Sequence, residues 1–269
     1  MPRDDDRLNK SRNPGSVVDM DPHRAGERVD PRKSMLGIDH MVAASKQIAK
    51  MVEPVRLTNE EMDAHKIIYP EMRDRKTIDL YRELRTKLVE NSPNDNPITL
   101  VCSVTPQGGA THLALNLAVS YSLDASKTAL LIDCNLANPS LDERLYLDPE
   151  YGLTDFLENE VVSIDNIIYA TGIPRLRLIP VGHKRGVTSE FFTSLRMKAF
   201  LDVVKRRYPD RHIFIDAPSV ASSVDARILS ILCDRVVLCV QYGRVTETQV
   251  RAAMEALGEE KIAGIILNN

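Results

Sequence analysis

Residues 103–118 read SVTPQGGATHLALNLA, and what flanks them decides the fold. The apolar run ITLVCSV (98–104) leads in, and a hydrophobic helical pattern leads out. Strand, glycine turn and helix together present backbone amides and the positive end of a helix to phosphate. Gly108 and Gly109 supply the backbone freedom of such a loop, and Thr111 stands where a magnesium-holding hydroxyl belongs. The residue before that threonine, where the loop wants lysine, is Ala110. The stretch therefore has three readings: a nucleotide site that has lost power, a site that works another way, or a common strand-to-helix turn.

Further runs of the same kind lie on either side. TALLIDC (128–134), LRLIPV (176–181), HIFIDA (212–217), RVVLCVQ (235–241) and AGIILNN (263–269) are short and rich in β-branched residues. Helical patterns alternate with them, and DLYRELRTKLVE (79–90) is another helix. Continuous apolar strands alternating with helices imply a doubly wound α/β domain, its mostly parallel sheet covered on both faces. That domain is expected over 77–269. Residues 1–35 carry few large apolar side chains and read as a disordered tail. Residues 36–76 read as an N-terminal helix and linker, with Ile38, Met41, Val42, Ile48, Met51 and Val52 at helical spacing and Pro54 ending the pattern. Such a helix either caps the protein's own core or docks onto a partner, including a membrane-bound one.

With 269 residues, 43% of them hydrophobic, the chain can bury one substantial core. A net charge of −3 gives no support for a nucleic-acid surface. No apolar run reaches the roughly 20 residues of a membrane span, and MPRDDDRLNK lacks a signal-peptide core, so cytoplasmic residence is expected. Cys102, Cys134, Cys233 and Cys239 show no CxxC pairing and read as buried free thiols. Cys134, between Asp133 and Asn135, would make a bound ligand sensitive to thiol modification if it were accessible.

Open parallel sheets bind ligands beyond the carboxyl ends of their strands. LLIDCNLANPSL (130–141) places Asp133 and Asn135 at one such end, and IFIDAPSV places Asp216 at another. A carboxylate after an apolar strand is costly to bury unless it is hydrogen-bonded or near a cation. Magnesium uses a few carboxylates, retained waters and phosphate oxygens. Thr111, Asp133 and Asp216 are the candidate metal ligands, and Gly108, Gly109, Ala110, Thr111 and His112 the candidate phosphate loop.

From about residue 77 onward the order of motifs resembles the cytoplasmic domain of bacterial tyrosine kinases. These regulate capsule and exopolysaccharide export, and their fold belongs to the MinD/ParA branch of P-loop ATPases. PQGGATH (106–112) stands where the family has a loop like PGEGKST, LLIDCNLANPSL where it has LLIDADLRRPSL, and FIDAPSV where it has IIIDTPP. GLTDFLENE (152–160) and SEFFTSLRM (189–197) resemble two further family segments. DLYRELR (79–85) resembles the oligomerisation motif E-x-x-R-x-x-R, with Asp79 for glutamate and Arg82 and Arg85 kept. Asn268 falls where relatives place an asparagine against adenine.

The departures gather at the chemistry. Ala110 replaces the lysine that bridges phosphates, Gln107 and Gly108 replace Gly and Glu, and Asn135 replaces the second aspartate. Ala137 and Asn138 replace paired arginines, and the sequence stops at its last strand, without the tyrosine-rich tail of autophosphorylating relatives. The catalytic residues carried over are Asp133 and Asp216. His112 is a poor substitute for lysine; Lys127 or Lys184 could supply the charge from elsewhere.

The resemblance implies a catalytically impaired kinase-like protein whose binding of ATP or ADP with Mg2+ is weakened or lost. Its implied partners are a membrane-embedded polysaccharide co-polymerase and an active kinase paralogue, in a homo- or hetero-oligomer at the inner face of the membrane. Two alternatives stay open: an active tyrosine autokinase or ATPase with a nonstandard loop, and a MinD/ParA-type positioning ATPase.

Overall fold

The structure, a computed structural model, describes residues 51, 53, 55–90, 96–183, 190–208 and 211–268. The expected tail, most of the expected N-terminal helix, and Lys184 lie outside the described residues.

Helices α1 (Asn59–Ala64) and α2 (Arg75–Glu90) precede β1 (Ile98–Ser103), and α3 (Ala110–Ser122) leads to β2 (Thr128–Asp133). Next come α4 (Leu141–Arg144), α5 (Leu153–Glu158), β3 (Tyr169–Ala170) and β4 (Leu176–Ile179). Helices α6 (Glu190–Thr193) and α7 (Leu195–Arg207) then lead to β5 (Arg211–Asp216). The chain continues through α8 (Asp225–Leu232), β6 (Arg235–Gln241), α9 (Glu247–Leu257) and β7 (Ile262–Asn268).

All six strands read from the sequence are present, within a residue or two of the expected ends. The sheet runs β3-β4-β2-β5-β1-β6-β7, parallel throughout except for β3. That two-residue antiparallel edge strand is the addition to the sequence reading.

Strand residues alternate between two cores. Leu100, Leu130, Ile132, Ile213, Ile215 and Leu238 feed one face; Val101, Ala129, Leu131, Phe214 and Val237 feed the other. Burial on both faces explains why the strands read as continuous apolar runs rather than alternating ones. From β1 the chain crosses to β2 on one side of β5, while β5 connects to β6 on the far side of β1. This reversal opens a crevice at the carboxyl end of β1, where the glycine loop lies.

The segment before residue 77 does not behave as a linker where it is described. Ile67 and Ile68 are fully buried in the core beneath α3. Asn116, also fully buried, accepts a hydrogen bond from the Ile68 amide (2.7 Å) and donates to the Lys66 carbonyl (3.1 Å). A buried amide side chain satisfied by backbone in this way fixes the segment in place. Helix α2 is tied down similarly: Arg85 donates to the Ser120 carbonyl at the end of α3 (2.6 Å), and buried Arg235 donates to Thr99 Oγ1 (2.8 Å) and to the Leu88 carbonyl.

Candidate phosphate-binding site

The loop after β1 is held from three directions. Its Gly108 amide donates to the Thr105 carbonyl (3.2 Å), closing a turn, and Gln107 has a left-handed φ of 59°. The Gly108 carbonyl accepts from the buried Cys239 thiol (2.9 Å) and from Asn268 Nδ2 (3.1 Å). Gly109 is the N-cap of α3 at φ 92°, a conformation that favours glycine, and no side chain caps this helix. A Cβ built on Gly109 would come within 2.3 Å of Asn268 Nδ2. The amides of the first turn of α3 are thus left for a ligand, and the 13-residue helix adds its positive end.

A cleft of about 550 Å³ opens over this loop. It is lined by loop residues 106–112, by Asn135, Asn138, Ser140 and Arg144 from the segment after β2, and by Ala217 to Ser219 with Ser222 after β5. Gly108, Gly109, Ala110, Thr111 and His112 all line it, so the structure assembles the expected phosphate loop in one place.

The two aspartates shortly precede two of its lining residues, Asn135 and Ala217. Asp133 and Asp216 end neighbouring strands as register partners, and both are buried. Asp133 accepts from the amides of Asn135 (3.0 Å) and Leu141 (3.5 Å), which partly offsets the burial that raises its pKa. Neither carboxylate oxygen of Asp216 has a hydrogen bond, and burial followed by the Asp133 charge pushes its pKa well up. The Thr111 hydroxyl and the Arg144 charge act on Asp216 in the opposite sense. Two adjoining buried carboxylates, one without donors, together with a nearby hydroxyl form a hard-oxygen set. This set fits the magnesium ion of a nucleotide.

Other expected residues are placed less directly. Ala110 is 7% exposed in the cleft wall and brings no charge. His112 lies 3.2–3.3 Å from Asn116 Nδ2, and its pKa is lowered by burial and by the Arg144 and Lys66 charges. It is therefore a neutral ring at neutral pH and does not replace lysine. Lys127 precedes β2 and acts on His212, at the strand ends opposite the loop, so it is remote from the site.

Asn268 takes up a position on the loop's own backbone through Gly108. Cys134 is fully buried and its thiol pKa is pushed far up by burial first, then by Asp133, which makes it inert. In α2, Arg82 pairs with Asp79 at 3.2 Å on an exposed face, whereas Arg85 is occupied with Ser120.

Sequence reasoning missed Arg144. It lines the cleft together with the loop, and its one side-chain hydrogen bond among the described residues runs from Nε to Ser140 Oγ (3.3 Å). An arginine in LDER, 11 residues beyond Asp133, carries no local signal of a site; only the turn of α4 brings it across.

Tyrosine-protein kinase YwqD of Bacillus subtilis is 30% identical over 192 residues, spanning 70% of this chain and 79% of that protein. The chain belongs to the bacterial tyrosine kinase family. The succinoglycan biosynthesis transport protein ExoP of Rhizobium meliloti is 26% identical over 180 residues, 65% of this chain but 22% of that protein. The kinase domain of Escherichia coli tyrosine kinase ETK superposes with a TM-score of 0.67 at 21% identity, covering 84% of this chain and 92% of that one. The doubly wound fold is similar to those of the cell division ATPase MinD of Pyrococcus furiosus and a plasmid partition protein of Borrelia burgdorferi, each with a TM-score of 0.52. No family model matches the chain. Among the described residues, no helix is long and apolar enough to cross a membrane.

Proposed function

We propose that this bacterial tyrosine kinase homologue has an impaired catalytic site and serves exopolysaccharide or capsule export as a regulatory subunit, bound to a membrane-embedded co-polymerase. The observation that carries the impairment is Ala110. At the first position of α3, facing the cleft, the loop offers a methyl group where transition-state charge needs a cation. Losing one preorganised cation from a phosphoryl-transfer site costs roughly 10³-fold or more in rate.

The residues that remain can hold but not drive the reaction. The first-turn amides of α3 bind phosphate oxygens, and Thr111, Asp133 and Asp216 would hold magnesium. When bound, Mg-ATP supplies the transferable phosphoryl group. Asn135 cannot accept a proton from an attacking hydroxyl as an aspartate could, and neutral His112 does not stand in for the lysine.

The link to polysaccharide export is supported by ExoP, a relative named for succinoglycan biosynthesis and transport. Assembly would use the exposed Asp79–Arg82 face of α2, since arginine's planar, multi-donor head suits pairing with carboxylates on a neighbouring subunit.

The deciding experiment measures phosphate release and tyrosine phosphorylation with Mg-ATP. Wild type should show no turnover, whereas Ala110→Lys with Asn135→Asp should gain it. Turnover by the wild type, abolished in Asp216→Ala, would establish an active enzyme and reject the impairment.

A further inference from the structure

We propose that Arg144 is the phosphate-binding cation of this cleft, acting from α4 in place of the lysine missing at 110. The ligand class is a nucleoside di- or triphosphate, held through its pyrophosphate group. This rests on reading the cleft as a phosphate site.

Several features place Arg144 in that role. It lines the 550 Å³ cleft together with the uncapped first turn of α3, so amides and guanidinium face a common space. The guanidinium has five donors, and one of them, Nε, is used on Ser140; among the described residues no carboxylate pairs with it. The adjacent Ser140 contact orients the head group while leaving both terminal nitrogens for an anion, the planar presentation that suits phosphate.

The cleft is also built for a ligand independently of Arg144. Asn135 in the cleft wall leaves its Oδ1 unsatisfied, and fully buried Asp216, next in sequence to lining residue Ala217, has no well-formed hydrogen bond, the Thr111 hydroxyl being its neighbouring donor. Arg144 shares the lining of this cleft with His112 of the loop. It also lines the neighbouring cleft with Lys66 and Glu143, whose opposite charges leave Arg144 as the net positive group there.

A lysine at 110 would reach phosphate from the loop; Arg144 reaches it from α4, a separate element lining the same cleft.

The test is calorimetry with inorganic pyrophosphate, ADP and adenosine, each with and without magnesium, on the full chain. Wild type should bind pyrophosphate and ADP. Arg144→Gln should weaken both about 10- to 100-fold, the loss of one charge-assisted contact, and leave adenosine unchanged. Arg144→Lys should recover part of the affinity, and ligand-free melting should be the same in all three proteins. Equal pyrophosphate affinity in wild type and Arg144→Gln, or no pyrophosphate and ADP binding by wild type, would overturn the proposal. Turnover by the wild type would instead reject impairment and leave the Arg144 assignment standing, so the two failures are distinguishable.

Discussion

Replacing Ala110 by lysine tests the central loss directly. The site can accept the change: Ala110 begins α3 and lines a cleft of about 550 Å³ that Arg144 also lines. An ammonium there gains one charge-assisted contact with a bound phosphate, about 1.5–3 kcal/mol. At about 1.4 kcal/mol per decade, that tightens Mg-ATP and Mg-ADP by about 10- to 150-fold. In the ligand-free protein the same ammonium sits near the unpartnered carboxylate of Asp216, so its melting temperature should rise. Turnover should rise far less than affinity, because Asn135 still cannot take a proton. Calorimetry on wild type, Ala110→Lys and the uncharged length control Ala110→Met separates charge from packing. If the lysine and methionine variants bind Mg-ATP equally, residue 110 does not face the phosphate and the reasoning fails.

Three other outcomes follow from particular contacts. His212 is buried against Tyr121, with its pKa depressed to about 3 mainly by burial and then by Lys127 and Arg235. The unfolded chain takes up that proton near pH 6.5, so the neutral ring's contribution is complete above 6.5 and is lost as pH falls, about 2 kcal/mol by pH 5. Urea titrations at pH 7 and pH 5 should show a smaller difference for His212→Phe than for wild type; equal differences would contradict this. Gly109→Ala puts a Cβ on a left-handed backbone and against Asn268, and should cost about 1–3 kcal/mol in urea denaturation. An unchanged midpoint would mean that the loop relaxes without Asn268. Arg82→Glu should lower the mass seen by light scattering without altering the melting temperature, because its pair with Asp79 is exposed and contributes little. An oligomer that keeps its wild-type mass would remove α2 from the interface, and Arg85→Glu would be the poorer probe because it also breaks the bond to Ser120.

The parallel sheet was legible because strands buried on both faces must be apolar throughout, as Leu100 and Val101 or Leu130 and Leu131 illustrate. Edge strand β3 was not: Tyr169 and Ala170 are half-buried and make a pattern of two residues. Ile67 and Ile68 were equally hidden, since two buried isoleucines among polar neighbours carry no periodicity. Their place is set by Asn116, 48 residues away from Ile68. Asp133 and Asp216 stood out because a carboxylate after an apolar strand calls for a reason, and the structure places both at one site.

What local reading could not supply is the charge balance of the cleft. Motif comparison judges each position against its counterpart, and on that basis Ala110, Asn135, Ala137 and Asn138 register as losses alone. A phosphate, however, responds to the summed field of every group facing it, whichever element carries them. In the proposed site Arg144 contributes the cation that the loop lacks, while Asp133 and Asp216, whose pKa values burial raises, would be matched by magnesium. Binding would use that cation, the metal and the free amides of α3. On the proposed reading, transfer additionally needs the loop cation and a base beside the acceptor, which Ala110 and Asn135 do not supply, so nucleotide binding without transfer is the expected outcome.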